Sequence, residues 1–230
     1  MATKKVKTPK KSKKSTKKTY VAMVIDRSGS MSSIHKETVD GINEQFNVYR
    51  RDGDKGGDTE ITLVQFDDQI DVVFDGNKPS DLVDWALTDF RPRGSTAMYD
   101  GVWAAINVLK SKEETDDTGF LVCVISDGYE NASKEITQKT LSDEIQRLQD
   151  TGKWTFTYML ANQDIHTVSS ALNVPLSNVA SYSSTAMGSA AAYMVNASSV
   201  GTYFGTRGSG GTSTSNFFSD EDKKKLENTK

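Results

Sequence analysis

The chain has 230 residues, 36% hydrophobic and 26% charged, with a formal net charge of −3. That length suits one full-sized domain with flanking segments, and no run approaches the roughly 18–20 continuous apolar residues of a membrane-spanning helix. One cysteine, Cys123, excludes an internal disulfide and fits a cytoplasmic compartment; within "FLVCVI" it reads as a core residue rather than a nucleophile.

The charge is unevenly placed. "MATKKVKTPKKSKKSTKK" holds nine lysines and no acid, so removing those nine charges from the net −3 leaves −12 for residues 19–230. A segment that repels itself and has almost nothing apolar to bury is expected to be a disordered tail, residues 1–18. The apolar run that follows is far short of the roughly 7–15 residues of a signal-peptide core. Lys4, Lys5, Lys7, Lys10, Lys11, Lys13, Lys14, Lys17 and Lys18 have no aromatic neighbours for stacking on bases. Their expected contact is electrostatic and nonspecific, with nucleic acid or an anionic surface; a solubilising tail or a targeting address is the alternative.

In the body, strand and helix signals alternate. "TYVAMVI" (19–25) is apolar throughout, as a strand buried on both faces would be. Ile34, Val39, Ile42, Phe46 and Tyr49 then recur at helical spacing up to "RDGDKGGD". "TEITLVQF" (59–66) and "QIDVVF" (69–74) are separated only by Asp67 and Asp68, which predicts a hairpin turn and an antiparallel edge strand. "SDLVDWAL" predicts a short helix capped by Ser80, and residues 97–110 a longer one entered through "RPRGST". Further on come a strand (119–126), a helix (134–149), a strand (154–161), a short helix (164–172), a weak strand in "NVASYS", and a small-residue-rich last helix. From residue 206 the chain reads as a flexible Gly/Ser-rich and charged tail. The pattern predicts a doubly wound α/β domain over residues 19–205: a mostly parallel six-stranded sheet, one antiparallel edge strand, and helices on both faces.

In such sheets ligands bind beyond the carboxyl ends of the strands. "DRSGS" ends the first strand with Asp26, Ser28 and Ser30 at alternate positions. These residues suit a helix N-cap, and they equally suit a metal site. A hard divalent cation such as Mg²⁺ takes oxygen ligands in near-octahedral geometry. Thr96 in "RGSTAMYDG" and Asp127 in "SDGYEN" present oxygen from two more loops on the same edge, which favours the metal.

This set resembles the metal-ion-dependent adhesion site of von Willebrand factor type A (VWA) domains: Asp-x-Ser-x-Ser, then a distant Thr, then a distant Asp, carried here by Asp26, Ser28, Ser30, Thr96 and Asp127. The resemblance covers about residues 20–204. "GSTAMYD", "SDGYENAS" and "ANQD" are similar in particular to stand-alone bacterial and phage-type members, which would place the chain in a bacterial cytoplasm, or the host cytoplasm if viral. The resemblance implies a Rossmann-like VWA fold with Mg²⁺ (or Mn²⁺ or Ca²⁺) bound directly by Ser28, Ser30 and Thr96, while Asp26 and Asp127 act largely through water. It also implies a protein partner that offers an Asp or Glu carboxylate to the ion.

Around this edge Arg91, Arg93, Tyr129, Glu130 and Asp164 are candidate partner-binding rim residues, with a helix cap as the other role for Asp164. Catalysis is not expected. No histidine is placed to activate Ser28 or Ser30, and neither a P-loop nor a G-x-G-x-x-G follows a strand. His35 and His166 lack companions at zinc-binding spacing. The expectation is therefore a divalent-metal-dependent protein-binding module; the alternative is a nucleic-acid-associated structural protein tethered through its lysine-rich segment.

Overall fold

A computed structural model describes residues 16–229, organised by one six-stranded sheet. The strands are β1 (Lys18–Asp26), β2 (Asp58–Phe66), β3 (Ile70–Asn77), β4 (Thr118–Ser126), β5 (Trp154–Ala161) and β6 (Val179–Tyr182). Their order is β3-β2-β1-β4-β5-β6. Every neighbouring pair is parallel except β2 and β3. The doubly wound sheet with one antiparallel edge strand is thus the one the sequence predicts.

The central strand shows why it is apolar throughout. Val21, Met23 and Ile25 face one core, with α1 (His35–Asp52) and α5 (Ala186–Gly208). Tyr20, Ala22 and Val24 face the other, with α2 (Met98–Lys110), α3 (Gln138–Gln149) and α4 (Ile165–Leu172). Alternate side chains of a strand point to opposite faces, so a strand covered on both sides shows no polar alternation. Because β2 and β4 flank β1 on opposite sides, the winding reverses there. The switch point, where α/β sheets place their ligands, therefore lies at the carboxyl ends of β1 and β4.

Three local expectations need correction. "SDLVDWAL" is not a helix: short 3-10 turns at Pro79–Asp81 and Leu87–Asp89 bracket an extended run, and Ser80 caps nothing. Side chains of α1 satisfy that run instead. The Asn43 amide pairs with both backbone groups of Trp85 at 2.7 and 2.9 Å, and Arg50 Nη1 donates to the Leu82 carbonyl. Leu82 is buried beneath it. The helix expected from residue 134 begins at Gln138, where Thr137 caps it. Ahead of it the amides of Lys134, Glu135 and Ile136 all donate to the Asp100 carboxylate, which holds that stretch outside the helix.

The third correction concerns the domain ends. Residues 1–15, with Lys4 to Lys14, lie outside the described residues. Lys18 already belongs to β1, and Lys17 Nζ donates to the Arg207 carbonyl at 2.6 Å. The segment from 206 is folded rather than a flexible tail: α5 runs on to Gly208, and α6 (Asp220–Glu227) follows with Ser219 and Asp222 in a capping box. Phe217, Phe218 and Leu226 enter the α1/α5 core. The Asn178 side chain holds the approach, donating to the Thr214 carbonyl and accepting from Phe217 N.

Candidate metal centre

Three loops build the site, one beyond β1, one leading into α2 and one beyond β4. Asp26 is the last residue of β1 and is 0% exposed. Its Oδ1 accepts from Ser28 N at 2.6 Å and its Oδ2 from Ser126 Oγ. The first of these bonds curls the chain back on itself, and a 3-10 turn (Gly29–Ile34) carries it into α1. In that turn Ser28 Oγ lies 3.1 Å from Ser30 Oγ, and Ser30 Oγ donates to Asp127 Oδ1 at 2.6 Å. The N-cap role fails here: neither Ser28 nor the residue before α1 makes a side-chain cap bond, and Ser33 Oγ turns back to the Ser30 carbonyl.

Thr96 arrives from the second loop and is 3% exposed. Asn131 fixes it to the third, the amide oxygen accepting from Thr96 N at 2.9 Å while Asn131 N donates to the Thr96 carbonyl. Gly128 explains the close approach. A Cβ there would sit 2.9 Å from Thr96 Oγ1 and 3.6 Å from Asp26 Oδ2, so the hydroxyl and the carboxylate flank one point that only glycine leaves free. Asp26, Ser28, Ser30, Thr96 and Asp127 therefore converge at the carboxyl ends of β1 and β4.

The electrostatics are those of an unneutralised pair of acids. Burial pushes the Asp26 carboxyl up to about 6, opposed by hydrogen bonds from Ser126 and Ser28 and reinforced by the charge of Asp127. Burial likewise raises Asp127, against the bond from Ser30. Among the described residues no lysine, arginine or histidine forms an ion pair with either. A buried carboxylate without a cation is costly.

The donor set fits a hard divalent ion. At metal–oxygen distances of about 2.0–2.1 Å, neighbouring octahedral ligands stand about 3 Å apart, close to the 3.1 Å between the Ser28 and Ser30 hydroxyls. Two carboxylates and three hydroxyls form this set. Among the described residues no group of three or more His, Cys, Asp or Glu side chains could hold a metal ion, so an ion here would rest on hydroxyls beside the two carboxylates.

The rim candidates divide. Tyr129 is 64% exposed beside the site, its hydroxyl donating to the Asn162 carbonyl at 3.3 Å. Arg91 is exposed, its Nε donating to the Thr88 carbonyl. Arg93 is half-exposed and bonded to Asp67. Asp164 caps α4, accepting from Thr167 N. Glu130 is turned inward: its carboxylate accepts from the amides of Tyr99, Ala132 and Ser133 and from Ser133 Oγ, clamping the third loop to the start of α2. Lys17 and Lys18, the two tail lysines within the described residues, bond to Arg207 and Glu113. Sequence reasoning missed Ser126 and Asn131 because their roles depend on contacts between loops. It also gave Asp67 to a simple turn, whereas Asp67 is fully buried.

Residues 21–130, which carry all five candidate ligands, match the family model described as the von Willebrand factor type A domain. The sheet, with five strands parallel and one antiparallel, has the fold of that family. No curated protein sequence matches the chain. Among solved structures, the vWF domain of the type V pili tip protein Mfa5 from Porphyromonas gingivalis superposes with a TM-score of 0.59 at 13% identity, covering 83% of this chain and 97% of that one. The SpRpn10 VWA domain gives 0.53 at 15%, covering 75% and 92%. Proximal thread matrix protein 1 from the mussel byssus gives 0.57 at 16%, covering 79% and 48%. The chain thus spans about half the length of the mussel protein. At these identities the likeness is one of fold.

Proposed function

We propose that this VWA-type domain is a divalent-metal-dependent protein-binding module. VWA domains are in general protein-interaction modules. The observation that carries the metal is the meeting of Asp26 and Asp127, both raised by burial and neither ion-paired, with the hydroxyls of Ser28, Ser30 and Thr96. Bound there, Mg²⁺ would supply a positive, oxygen-seeking centre open to a partner carboxylate.

The protein's own part is to hold that centre and leave one side clear. Asp26 is sealed beneath the site, whereas Ser30 is exposed and Asp127 half-buried, so access is from the side of the loops. A partner's Asp or Glu would approach there, with Tyr129 and Arg91 as exposed neighbours. Two acids in the site would balance a divalent charge, and the incoming carboxylate would give the complex its dependence on the ion. Among the described residues no helix is long and apolar enough to cross a membrane.

The test is thermal denaturation with and without millimolar Mg²⁺, for the wild type and Asp26→Ala. Binding to the native state alone raises the wild-type melting temperature in step with ion concentration, and the variant shows no such rise. Equal responses overturn the reading. Capture of a partner in Mg²⁺ and its loss in EDTA would extend the test to protein binding. The nucleic-acid reading gains no support from the engaged side chains of Lys17 and Lys18.

A further inference from the structure

The geometry points to Asp67 as the positioning residue of this centre: its carboxylate fixes the spacing between the loop of Ser28 and Ser30 and the loop of Thr96. This inference rests on the metal reading above, and assigns a role to a residue outside the ligand set.

Asp67 follows the last residue of β2 and is 0% exposed. Its Oδ2 accepts from Arg27 Nε at 2.9 Å and from Arg93 Nε at 2.8 Å, with Arg27 Nη2 also 2.8 Å away. Its Oδ1 accepts from Gln69 N at 2.7 Å, which sets the plane of the carboxylate. Arg27 lies between Asp26 and Ser28, and Arg93 stands three residues before Thr96. One buried acid therefore grips both ligand-bearing loops.

The backbone repeats the arrangement. Arg27 N donates to the Phe66 carbonyl at 2.7 Å, and Ala97 N, next to Thr96, donates to the Asp67 carbonyl at 2.8 Å. The two loops also bond to each other, Arg93 N to the Arg27 carbonyl and Gly29 N to the Gly94 carbonyl. Gly94 has φ +65°, and a Cβ there would lie 2.1 Å from Asp68 Oδ1, so the second loop is pressed onto the β2–β3 turn. Arg27 also reaches the start of β3 through Asp71 at 2.7 Å.

The consequence follows from the ligands. Mg²⁺ demands near-ideal octahedral geometry at about 2.0–2.1 Å, whereas Ca²⁺ accepts looser shells at about 2.3–2.6 Å. Hydroxyls of separate loops meet the tighter demand only if the gap between the loops is fixed, and Asp67 has the contacts to fix it. Asn at this position keeps the shape but loses the charge that neutralises two guanidinium groups, which frees the loops to separate.

The experiment is calorimetric titration of Mg²⁺ and of Ca²⁺ into wild type, Asp67→Asn, Arg93→Gln and Asp26→Ala, each confirmed folded by circular dichroism. Asp67→Asn is expected to lose roughly 10–100-fold in Mg²⁺ affinity and less in Ca²⁺ affinity, which shifts the ratio of the two. A purely structural role would lower the melting temperature and leave the ratio unchanged. Arg93→Gln removes a half-exposed side chain and is expected to shift the ratio in the same direction, so the test stands even if Asp67→Asn fails to fold. Wild-type Mg²⁺ affinity and ion ratio in the folded variants overturn this inference alone. A wild type that binds no Mg²⁺ overturns the metal reading along with it.

Discussion

Arg207 reaches Thr19 from the far end of the chain, its Nε donating to Thr19 Oγ1 at 2.9 Å in a wholly buried contact. The same guanidinium takes the carbonyls of Lys18 and Asp117 through Nη2, at 2.8 Å each, and that of Gly211 through Nη1 at 2.6 Å. An ion pair with the Asp117 carboxylate at 3.2 Å offsets its charge. The starts of β1 and β4 and the end of α5 thus close on one side chain.

Arg207→Met would leave several buried acceptors unmet together with a bereft acid. The expected loss is about 4 kcal/mol or more, at roughly 1–3 kcal/mol for each buried acceptor left unmet, measured by urea denaturation. Arg207→Lys should recover only part, because an ammonium lacks the planar fork that serves five acceptors at once. Full recovery by lysine would show that charge alone matters.

Removal of residues 213–230 tests the folded C-terminal segment. Phe217, Phe218 and Leu226 are nearly or completely buried in the α1/α5 core. At roughly 1.5–3 kcal/mol for each of these three buried side chains, the truncation should cost about 4.5–9 kcal/mol and expose a dye-binding apolar surface. An unchanged melting curve would show that the segment contributes nothing to the fold.

Gly41 in α1 faces the ring of Tyr193 in α5. A Cβ there would lie 2.1 Å from Tyr193 Cγ, far inside contact distance. Gly41→Ala gains about 1 kcal/mol in helix propensity, but overpacking typically costs about 1–3 kcal/mol. With Tyr193 completely enclosed, the net result should be destabilisation of about 1–2 kcal/mol in chemical denaturation. A stabilised variant would mean that α1 and α5 can separate without loss.

Glu144 gives the stability a pH dependence. The Arg147 side chain, with Nε and Nη2 both at 2.7 Å, and then Lys110 at 2.8 Å lower its carboxyl from 4.5 to about 2. A group lowered in the folded state stabilises it above its unfolded value and loses that contribution as pH falls through the folded one. The gap between wild type and Glu144→Gln should be about 1–2 kcal/mol at neutral pH, allowing for solvent screening, and should close between about pH 4.5 and 2. A gap that persisted at pH 2 would assign the effect to packing.

The parts legible in the sequence were those governed by local pattern. Apolar runs marked β1 and β4, helical spacing marked α1, and the three oxygen-bearing loops stood at predicted strand ends. The parts hidden from it depend on partners distant in the chain. "SDLVDWAL" has helical spacing, yet Asn43 and Arg50 bond its backbone in an extended form. The Gly/Ser-rich stretch after Arg207 resembles a linker until Asn178 and Arg207 supply its hydrogen bonds. Asp67 looked like a turn residue because the arginines that bury it lie 40 positions before and 26 after it.

Lys17 and Asp26 stand at opposite ends of the central strand, and this has a mechanical consequence. A load applied between the loop beyond Asp26 and the segment that leads into Lys18 would run along the axis of β1. That strand is in register with nine residues of β2 on one side and eight of β4 on the other. Tension between those two points is carried by the covalent backbone of β1 itself, and the ladders on both sides hold the strand in line within the sheet. The candidate site and the point where the chain enters the sheet are thus the two ends of one straight, covalently continuous segment.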